Sequence, residues 1–374
     1  MNLDNQFLDE WFVDYNQDSK DFRDFPFGLN YPAKYNSITD KLNSWVHPYV
    51  NQGSMLTDGG FLTDHGPEHI KTVIKRATQL VASMKPDDGL NPFEVYVLLM
   101  AIHVHDVGNI LSRNGHEVNS TIVIDHLKDT LVKYDRIEWS AIYDIASAHG
   151  GGEKDKISKL PESPEPIHNI EVRFQLLAAI LKFADELAED SSRAARYLVE
   201  LEKVPELSMI YHEYALSLHS IKISTKDRLV NMYFDIEEDK LHILYKKKMK
   251  KSPTSESKRI GLFKRFSKDD SSSESIKHEY LINEIYLRTL KTHFERLYCM
   301  RFLRPYINID RIRVFIRVSL TNGKKFHLPP PQGSFDLIES GINDVQMGQI
   351  FEMCPELKNW QGETFSNYIK NMNV

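Results

Sequence analysis

The 374-residue chain has only two cysteines, Cys299 and Cys354, and neither lies near a group of histidines. A disulfide framework and a cysteine-based zinc site are therefore excluded, and the low cysteine content suits a reducing compartment. The sequence also lacks a run of about 18 apolar residues that would predict a transmembrane helix. Its acidic first residues do not have the basic segment and apolar core of a secretory signal. We expect a cytoplasmic protein with no membrane partner.

Several common catalytic motifs are missing as well. Three glycines follow His149, as in the oxyanion loop of some esterases, but no Gly-x-Ser-x-Gly nucleophile motif is present. The same glycines are not a phosphate-binding loop, because no Gly-Lys-Ser/Thr follows them. His-Glu-x-x-His is absent, which argues against a zinc peptidase. The net charge of −6 argues against a protein built as a whole to coat nucleic acid.

Hydrophobic periodicity predicts a mainly α fold, with a helical bundle followed by a smaller α+β domain. The predicted helices lie at about 69–84, from Asn91-Pro92 through an all-apolar central segment, from a cap at Asn114 to His126, from a cap at Asp135 to His149, and at 171–189. Alternating patterns predict strands at 221–225, 229–236, 241–245 and 312–320, with a helix at about 278–303. We divide the chain into an N-terminal extension (1–37), a helical domain (38–220) and the α+β domain (221–374).

Residues 246–275 interrupt the α+β domain with a basic run that passes into a serine-rich acidic one. This composition is typical of a solvated mobile loop. The alternative is a basic arm that contacts phosphate or an acidic partner. That alternative would allow a nuclease, whose nucleic-acid binding should weaken with salt and after deletion of Lys246–Lys268.

The segment Ala101–Gly108 carries the strongest chemical signal of the chain. An apolar helix ends there in His103, His105 and Asp106, and glycine follows two residues later. An imidazole and a carboxylate at the end of a buried helix are costly to desolvate without a partner. A divalent cation is a partner that accepts both groups. His103 faces the opposite side of the helix from His105, so we expect it to be packed or hydrogen-bonded.

Other segments supply further candidate ligands. His65 and His69 are four residues apart, which places them one turn apart on one face if both are helical. Asp185 ends a later apolar helix, and His149 ends the helix before it. A mixed set of imidazoles and carboxylates suits one or two ions of Mn, Mg, Fe, Co, Ni or Zn without deciding among them.

In this order, the residues resemble the HD-domain metal-dependent phosphohydrolase superfamily, whose pattern is a helical His, a His-Asp doublet and a distant Asp. The resemblance covers about Thr63 to Ala188. It implies that His69, His105, Asp106 and Asp185 bind metal, and that His149 holds a second ion or contacts phosphate. The alternative for His149 is a helix-terminal histidine favoured by the helix dipole. The implied function is hydrolysis of a phosphate ester or anhydride in a nucleotide, of the phosphodiesterase or triphosphohydrolase type.

The resemblance also implies catalytic roles. His65 has the spacing of the histidine that protonates the leaving group in related cyclic nucleotide phosphodiesterases; the alternative is a surface histidine at a helix entry. Gly115-His116 looks like the catalytic segment of related deoxynucleotide triphosphohydrolases. Their acid falls where this chain has Asn119, so Glu117 would have to substitute from another helix face, which puts that activity in doubt.

Three basic residues are candidates for binding the substrate's phosphate. Lys182 lies one turn before Asp185, where it would neutralise a phosphate or pair with Glu186. Arg193 and Arg196 follow just beyond. The Gly-Tyr-Pro signature of cyclic-di-nucleotide HD enzymes is absent, which argues against that substrate.

Within the superfamily, the Asp64-His65-Gly66 entry and the added C-terminal region look most like the HD-CE-like bacterial group. Some members of that group accompany ATPases of the heat-shock-chaperone type, so the resemblance implies a protein partner such as an ATPase. The alternative function is a nucleotide sensor or partner-binding module with little turnover. Association into a homo-oligomer is left open by the sequence.

Overall fold

The computed structural model of the chain describes residues 3, 6–51, 63–150, 155–201, 203–248, 274–338 and 347–371. The helices in these ranges are α1 (Leu8–Asp14), α2 (Tyr31–Trp45), α3 (Pro67–Val81), α4 (Pro92–Val104), α5 (His116–Asp125), α6 (Arg136–Ser147), α7 (Phe174–Glu186), α8 (Arg196–Glu200), α9 (Glu206–Ser217), α10 (Leu281–Leu303), α11 (Met347–Met353) and α12 (Gly362–Asn371). The strands are β1 (Glu165–Ile167), β2 (Ile170–Val172), β3 (Leu218–Ser224), β4 (Leu229–Glu237), β5 (His242–Lys248), β6 (Glu274–Tyr280), β7 (Arg311–Ser319), β8 (Lys325–His327) and β9 (Ser334–Ile338).

Helix α4 is the centre of the helical part. Every side chain from Phe93 to Val104 is buried, and α1, α2, α3, α6 and α7 all contact this helix. Asn91 caps its first turn by accepting from the backbone of Glu94, whose carboxylate accepts in return from the backbone of Asn91. The prediction of a central buried helix that ends at the His-Asp doublet is confirmed.

Gly108 lets the chain turn tightly after α4. A Cβ at this position would lie 1.9 Å from the carbonyl oxygen of His116 and 2.7 Å from the backbone nitrogen of Ser120. Helix α5 can therefore pack directly against the turn only because residue 108 has no side chain. This close approach brings His116, the first residue of α5, next to the end of α4.

The N-terminal helices are packed into the bundle. Tyr31 and Lys34 of α2 donate hydrogen bonds of 2.7 Å to the fully buried carboxylate of Glu138 in α6, which also accepts from the Tyr96 hydroxyl of α4. The boundary placed at 37/38 falls inside α2. The division into three parts therefore remains a prediction.

The C-terminal part contains a mixed sheet. Strand β4 pairs antiparallel with β3 and parallel with β7, whose other edge is shared by the antiparallel strands β8 and β9. Side chains alternate between buried and partly exposed along β4 and β7, because helices α9 and α10 cover one face of the sheet. The predicted fold class, mainly α with a smaller α+β C-terminal part, is confirmed.

Some predicted boundaries are wrong. Helix α5 is capped by Gly115, at φ +75°, and not by Asn114. Strands occupy the first residues of two predicted helices, because β2 precedes α7 and β6 runs directly into α10. The predicted loop 246–275 loses both ends to β5 and β6, which pair Lys246 with Ile276, and its remaining residues, 249–273, lie outside the described ones. None of the described helices is both long enough and apolar enough to cross a membrane.

The buried pair of Lys34 and Glu138 gives a test of how firmly the N-terminal helices are held. We expect Lys34→Met to lower the free energy of unfolding by about 3–5 kcal/mol, because Glu138 would keep a buried charge without its cation. Chemical denaturation measures this loss. The control is Lys75→Met on the exposed face of α3, which should change stability little. Equal stabilities of the two variants would contradict the prediction.

Candidate metal centre

Five helices bring candidate ligands to one point. His69 lies in the first turn of α3, and His105 and Asp106 follow the end of α4. His116 begins α5, His149 comes just after α6, and Asp185 lies in the last turn of α7. The helix ends point their side chains at the same small volume, so the histidines and aspartates predicted from the sequence are neighbours in space.

Asp106 lies between two groups of imidazoles. Its Oδ2 is 2.5 Å from His65 Nδ1 and 3.7 Å from His69 Nε2. Its Oδ1 is 3.2 Å from His116 Nε2 and 3.7 Å from His149 Nε2. Each oxygen of this one carboxylate therefore faces its own set of nitrogen ligands.

Asp185 closes the first of these two groups. Its Oδ1 is 3.1 Å from His69 Nε2 and 3.6 Å from His105 Nε2. His105 Nε2 is in turn 3.4 Å from Asp106 Oδ2. These four side chains, two imidazoles and two carboxylates from three separate segments, surround one point.

The backbone fixes which nitrogen of each histidine is available. In three histidines the Nδ1 group donates to the carbonyl three residues earlier: His105 to Ile102 at 2.7 Å, His116 to Arg113 at 3.0 Å and His149 to Ala146 at 2.5 Å. The Nε2 atom of each neutral ring then carries a lone pair, as in metal-bound histidines whose other nitrogen is held by a carbonyl.

This arrangement fits divalent metal ions. His69 Nε2 and His105 Nε2 are 3.3 Å apart, and His116 Nε2 and His149 Nε2 are also 3.3 Å apart. With its Nδ1 proton on a carbonyl, neutral His105 has no hydrogen on Nε2 to share with the nearby carboxylates, and the same holds for His116 and His149. Lone pairs and carboxylate charges so close together in a buried site are stabilised by a cation. Three overlapping triads of these residues have ligand atoms within 4.8 Å of one another.

The pKa shifts in the cluster also favour binding of a cation. Burial lowers the pKa of His65 to about 3 and also lowers the pKa of His69 and His149. Burial acts in the same sense on His105, but Asp106 and Asp185 outweigh it and raise the pKa of His105 to about 10. The two carboxylates therefore favour a positive charge at Nε2 of His105, which a second proton on the ring supplies when no cation is bound. Binding of a cation would displace that proton and neutralise the remaining charge.

A cavity of about 600 Å³ opens onto the cluster. This volume lies within the range of small-molecule pockets, about 300–1,000 Å³. The candidate ligands described above form what we call the metal cluster. The walls of the cavity combine this cluster with charged side chains from α7 and from the C-terminal helix α10. The lining residues include Asp106, Arg113, His116, His149, Lys182, Asp185, Glu186, Glu189, Arg193, Ser208, Tyr211, Arg288, Lys291 and Glu295.

His65 is buried, so it is not a surface histidine at a helix entry. Its Nδ1 contacts Asp106, and Arg193 Nη2 lies 3.1 Å from both of its ring nitrogens. Since an arginine only donates, the His65 nitrogen that does not bind Asp106 has to accept from Arg193. His103 is outside the cluster, as expected, with its Nε2 3.0 Å from the Tyr35 hydroxyl.

Glu117 lies behind His116. Its carboxylate is 3.4 Å from His116 Nδ1 and 3.4 Å from Lys156 Nζ, on the opposite side of the imidazole from Asp106. Glu117 is not among the described residues that line the cavity. This position suits support of the His116 ring better than contact with a substrate.

The predicted basic residues divide between two places. Lys182 lines the cavity, donates to the carbonyl of His149 at 2.8 Å and pairs with Glu295 at 3.1 Å. Of its two alternatives, the pairing with Glu186 is wrong, and binding of a phosphate stays a prediction. Arg193 also lines the cavity, buried beside His65. Arg196 lines a separate small cavity with Glu213 and does not reach the cluster.

Sequence reasoning missed the residues that complete the cavity wall. Arg113, with Nη1 3.9 Å from Asp106 Oδ1, lies in the short loop between the His-Asp doublet and His116. Tyr211, Arg288, Lys291 and Glu295 come from α9 and α10. They carry no spacing relation to the histidines, so a local pattern could not have identified them. The only available signal was their helical periodicity.

The fold and the cluster define a helical domain of the HD type. The sequence matches the HD-CE family over residues 59–251, more than half of the chain. The protein belongs to the HD-CE family. No curated protein and no solved structure matches it.

Removing the shared carboxylate tests whether this cluster binds metal. We expect Asp106→Asn to lower metal affinity by at least about 100-fold, because even residues that only support ligands contribute about 10–100-fold. Metal content after dialysis, measured by elemental analysis, gives the result, and circular dichroism shows whether the variant is folded. Asp144→Ala, an exposed position on α6, is the control. Wild-type metal content in folded Asp106→Asn would contradict the assignment.

Proposed function

We propose that this protein is a metal-dependent phosphohydrolase that acts on a phosphate ester or anhydride of a nucleotide. The observation that supports this most is the position of Asp106, whose two oxygens face separate histidine groups. A carboxylate shared in this way between two sets of ligands would suit two-metal hydrolysis of phosphate esters. The adjoining cavity is large enough for a nucleotide.

In this proposal His69, His105, Asp106 and Asp185 hold one divalent ion, and Asp106, His116 and His149 hold a second. When bound, such ions supply Lewis-acid activation of water and of a phosphoryl oxygen. The carbonyls of Ile102, Arg113 and Ala146 orient the three imidazole rings by accepting their Nδ1 protons. The metal would be one of Mn, Mg, Fe, Co, Ni or Zn, all of which suit these ligands.

Two basic residues of the cavity stabilise the charge that develops on the phosphate. Arg113 is the closer to Asp106, and its guanidinium is partly exposed to the cavity. Lys182 is held by the His149 carbonyl and by Glu295, which fixes its ammonium group beside the second histidine pair. Fixed cations at this place favour the transition state because they need no reorganisation as charge builds up.

His65 is a positioning residue in this proposal. Its ring is bound on one side by Asp106 and on the other by Arg193, so neutral His65 has no proton left to give to a leaving group. Its contact with Oδ2 instead fixes the orientation of the Asp106 carboxylate. The acid role implied by the resemblance predicts a different dependence on the leaving group, which makes the two roles separable.

The activity is tested by incubating the protein with a panel of nucleotides and Mn or Mg, with products identified by mass. Release of orthophosphate, pyrophosphate or triphosphate distinguishes the reaction types. Tight nucleotide binding without turnover at full metal occupancy would support a sensor or partner-binding module instead.

Other parts of the proposal are a cytoplasmic location, a partner such as an ATPase, and the domain division at about residues 37 and 220.

The upstream histidines give a prediction that separates binding of metal from positioning. We expect His69→Ala to lose metal affinity, with activity partly restored by excess Mn. We expect His65→Ala to keep its metal and to lose about 10- to 100-fold in kcat, the usual cost of removing a residue that orients a metal ligand. The loss should be similar on substrates with good and poor leaving groups, because no proton transfer is removed.

Metal content and rates of both variants on both substrates decide between these roles. A deficit that shrinks on the better leaving group would make His65 the acid. Equal metal loss in the two variants would make His65 a ligand. His126→Ala, an exposed position after α5, is the matched control and should behave as wild type.

A further inference from the structure

The cavity extends beyond the part of its wall that carries the metal cluster. A continuous series of contacts leads away from Asp106 through His65, Arg193, Glu189 and Arg288. It ends at Tyr211 on α9, whose ring lies beside Arg288. This second part of the wall, formed by Ser208, Tyr211 and Arg288, is the distal wall. Binding of metal by the cluster does not explain the presence of these three residues in the cavity wall.

The distal wall has charges that are already neutralised. Arg288 pairs with Glu189 at 3.0 Å and with Glu284 at 2.7 Å. Neighbouring Lys291 pairs with Glu186 at 2.8 Å. A phosphate placed here would meet carboxylates as well as cations. The distal wall therefore suits a neutral group better than a second anion.

Tyr211 gives the distal wall a flat surface. The Arg288 guanidinium lies 4.9 Å from the ring centre of buried Tyr214 and 5.0 Å from that of Tyr211. The carboxylates of Glu189 and Glu284 hold Arg288 in place, so the ring of Tyr211 packs against a guanidinium group whose position is fixed. Tyr211 is 45% exposed, and no other Tyr, Phe or Trp is among the described side chains that line the cavity. A ring with one face on a cation can accept a planar group on the other.

We propose that the distal wall is a subsite for the planar base of the substrate, which stacks on Tyr211 while its phosphate lies at the metal cluster. This inference rests on the proposed function, since it assigns the base of the same nucleotide. Stacking on an aromatic ring tolerates different bases, because every base has a π-face. Tyr211 and Arg288 then set a preference for phosphates that carry a planar ring over those that do not.

The test compares binding of nucleoside monophosphates and of ribose 5-phosphate to the metal-loaded protein by calorimetry. We expect the best nucleotide to bind about 5- to 150-fold more tightly than ribose 5-phosphate, which lacks the base. Tyr211→Ala should remove this difference and leave the dissociation constant for ribose 5-phosphate unchanged. Tyr211→Phe should keep the difference. Tyr197→Ala, at an exposed tyrosine outside the cavity, is the control.

Equal binding of nucleotides and ribose 5-phosphate by the wild type would overturn the proposal. Loss of affinity for both ligands in folded Tyr211→Ala would overturn it too, because the tyrosine would then act on the phosphate or on the fold. The measured quantity is binding, so a protein that hydrolyses nothing can still show the base preference. A protein that hydrolyses nucleotides but lacks the preference would keep the proposed function and lose the subsite.

Discussion

The Asp106 carboxylate is the constraint on which the helical domain depends. It sits at the end of α4, the helix with the most completely buried surface, where an unpaired charge would be very costly. Five helices end or begin around it, and each contributes a polar group at its terminus. A cation between these groups would bind the helix ends together, so the site and the packing of the bundle are parts of one arrangement.

The three carbonyl contacts of the histidines explain why the ligands lie at helix ends. The last carbonyls of a helix have no partner within it. His105 and His149 use such carbonyls of α4 and α6 to hold their Nδ1 protons, which directs Nε2 away from the helix and into the cluster. One hydrogen bond thus gives a partner to a terminal carbonyl of the helix and also orients the histidine as a ligand.

The sequence predicted the cluster because its residues leave local traces. His105 and Asp106 interrupt an apolar run, and His69 lies on the buried, mainly apolar face of an amphipathic helix. The partner of Lys182 was not predictable in the same way: Glu186 is one turn away in sequence, but Lys291 and Thr292 of α10 occupy its carboxylate, and Lys182 turns to Glu295. Contacts between elements a hundred residues apart depend on packing, which no local period records.

Helix α10 shows why the C-terminal part matters to the site. Arg288, Lys291 and Glu295 lie three or four residues apart along it, so they form one face. This face meets Glu189, Glu186 and Lys182, which follow each other in the reverse chain direction on and just beyond α7. These pairs line the cavity. Because each charge is neutralised by its partner, the wall there is nearly neutral. In the proposed function, cations held by the cluster, together with Arg113 and the ammonium group of Lys182, would supply the positive charge for a phosphate. The nearly neutral wall of α9 and α10 would then face the rest of the substrate.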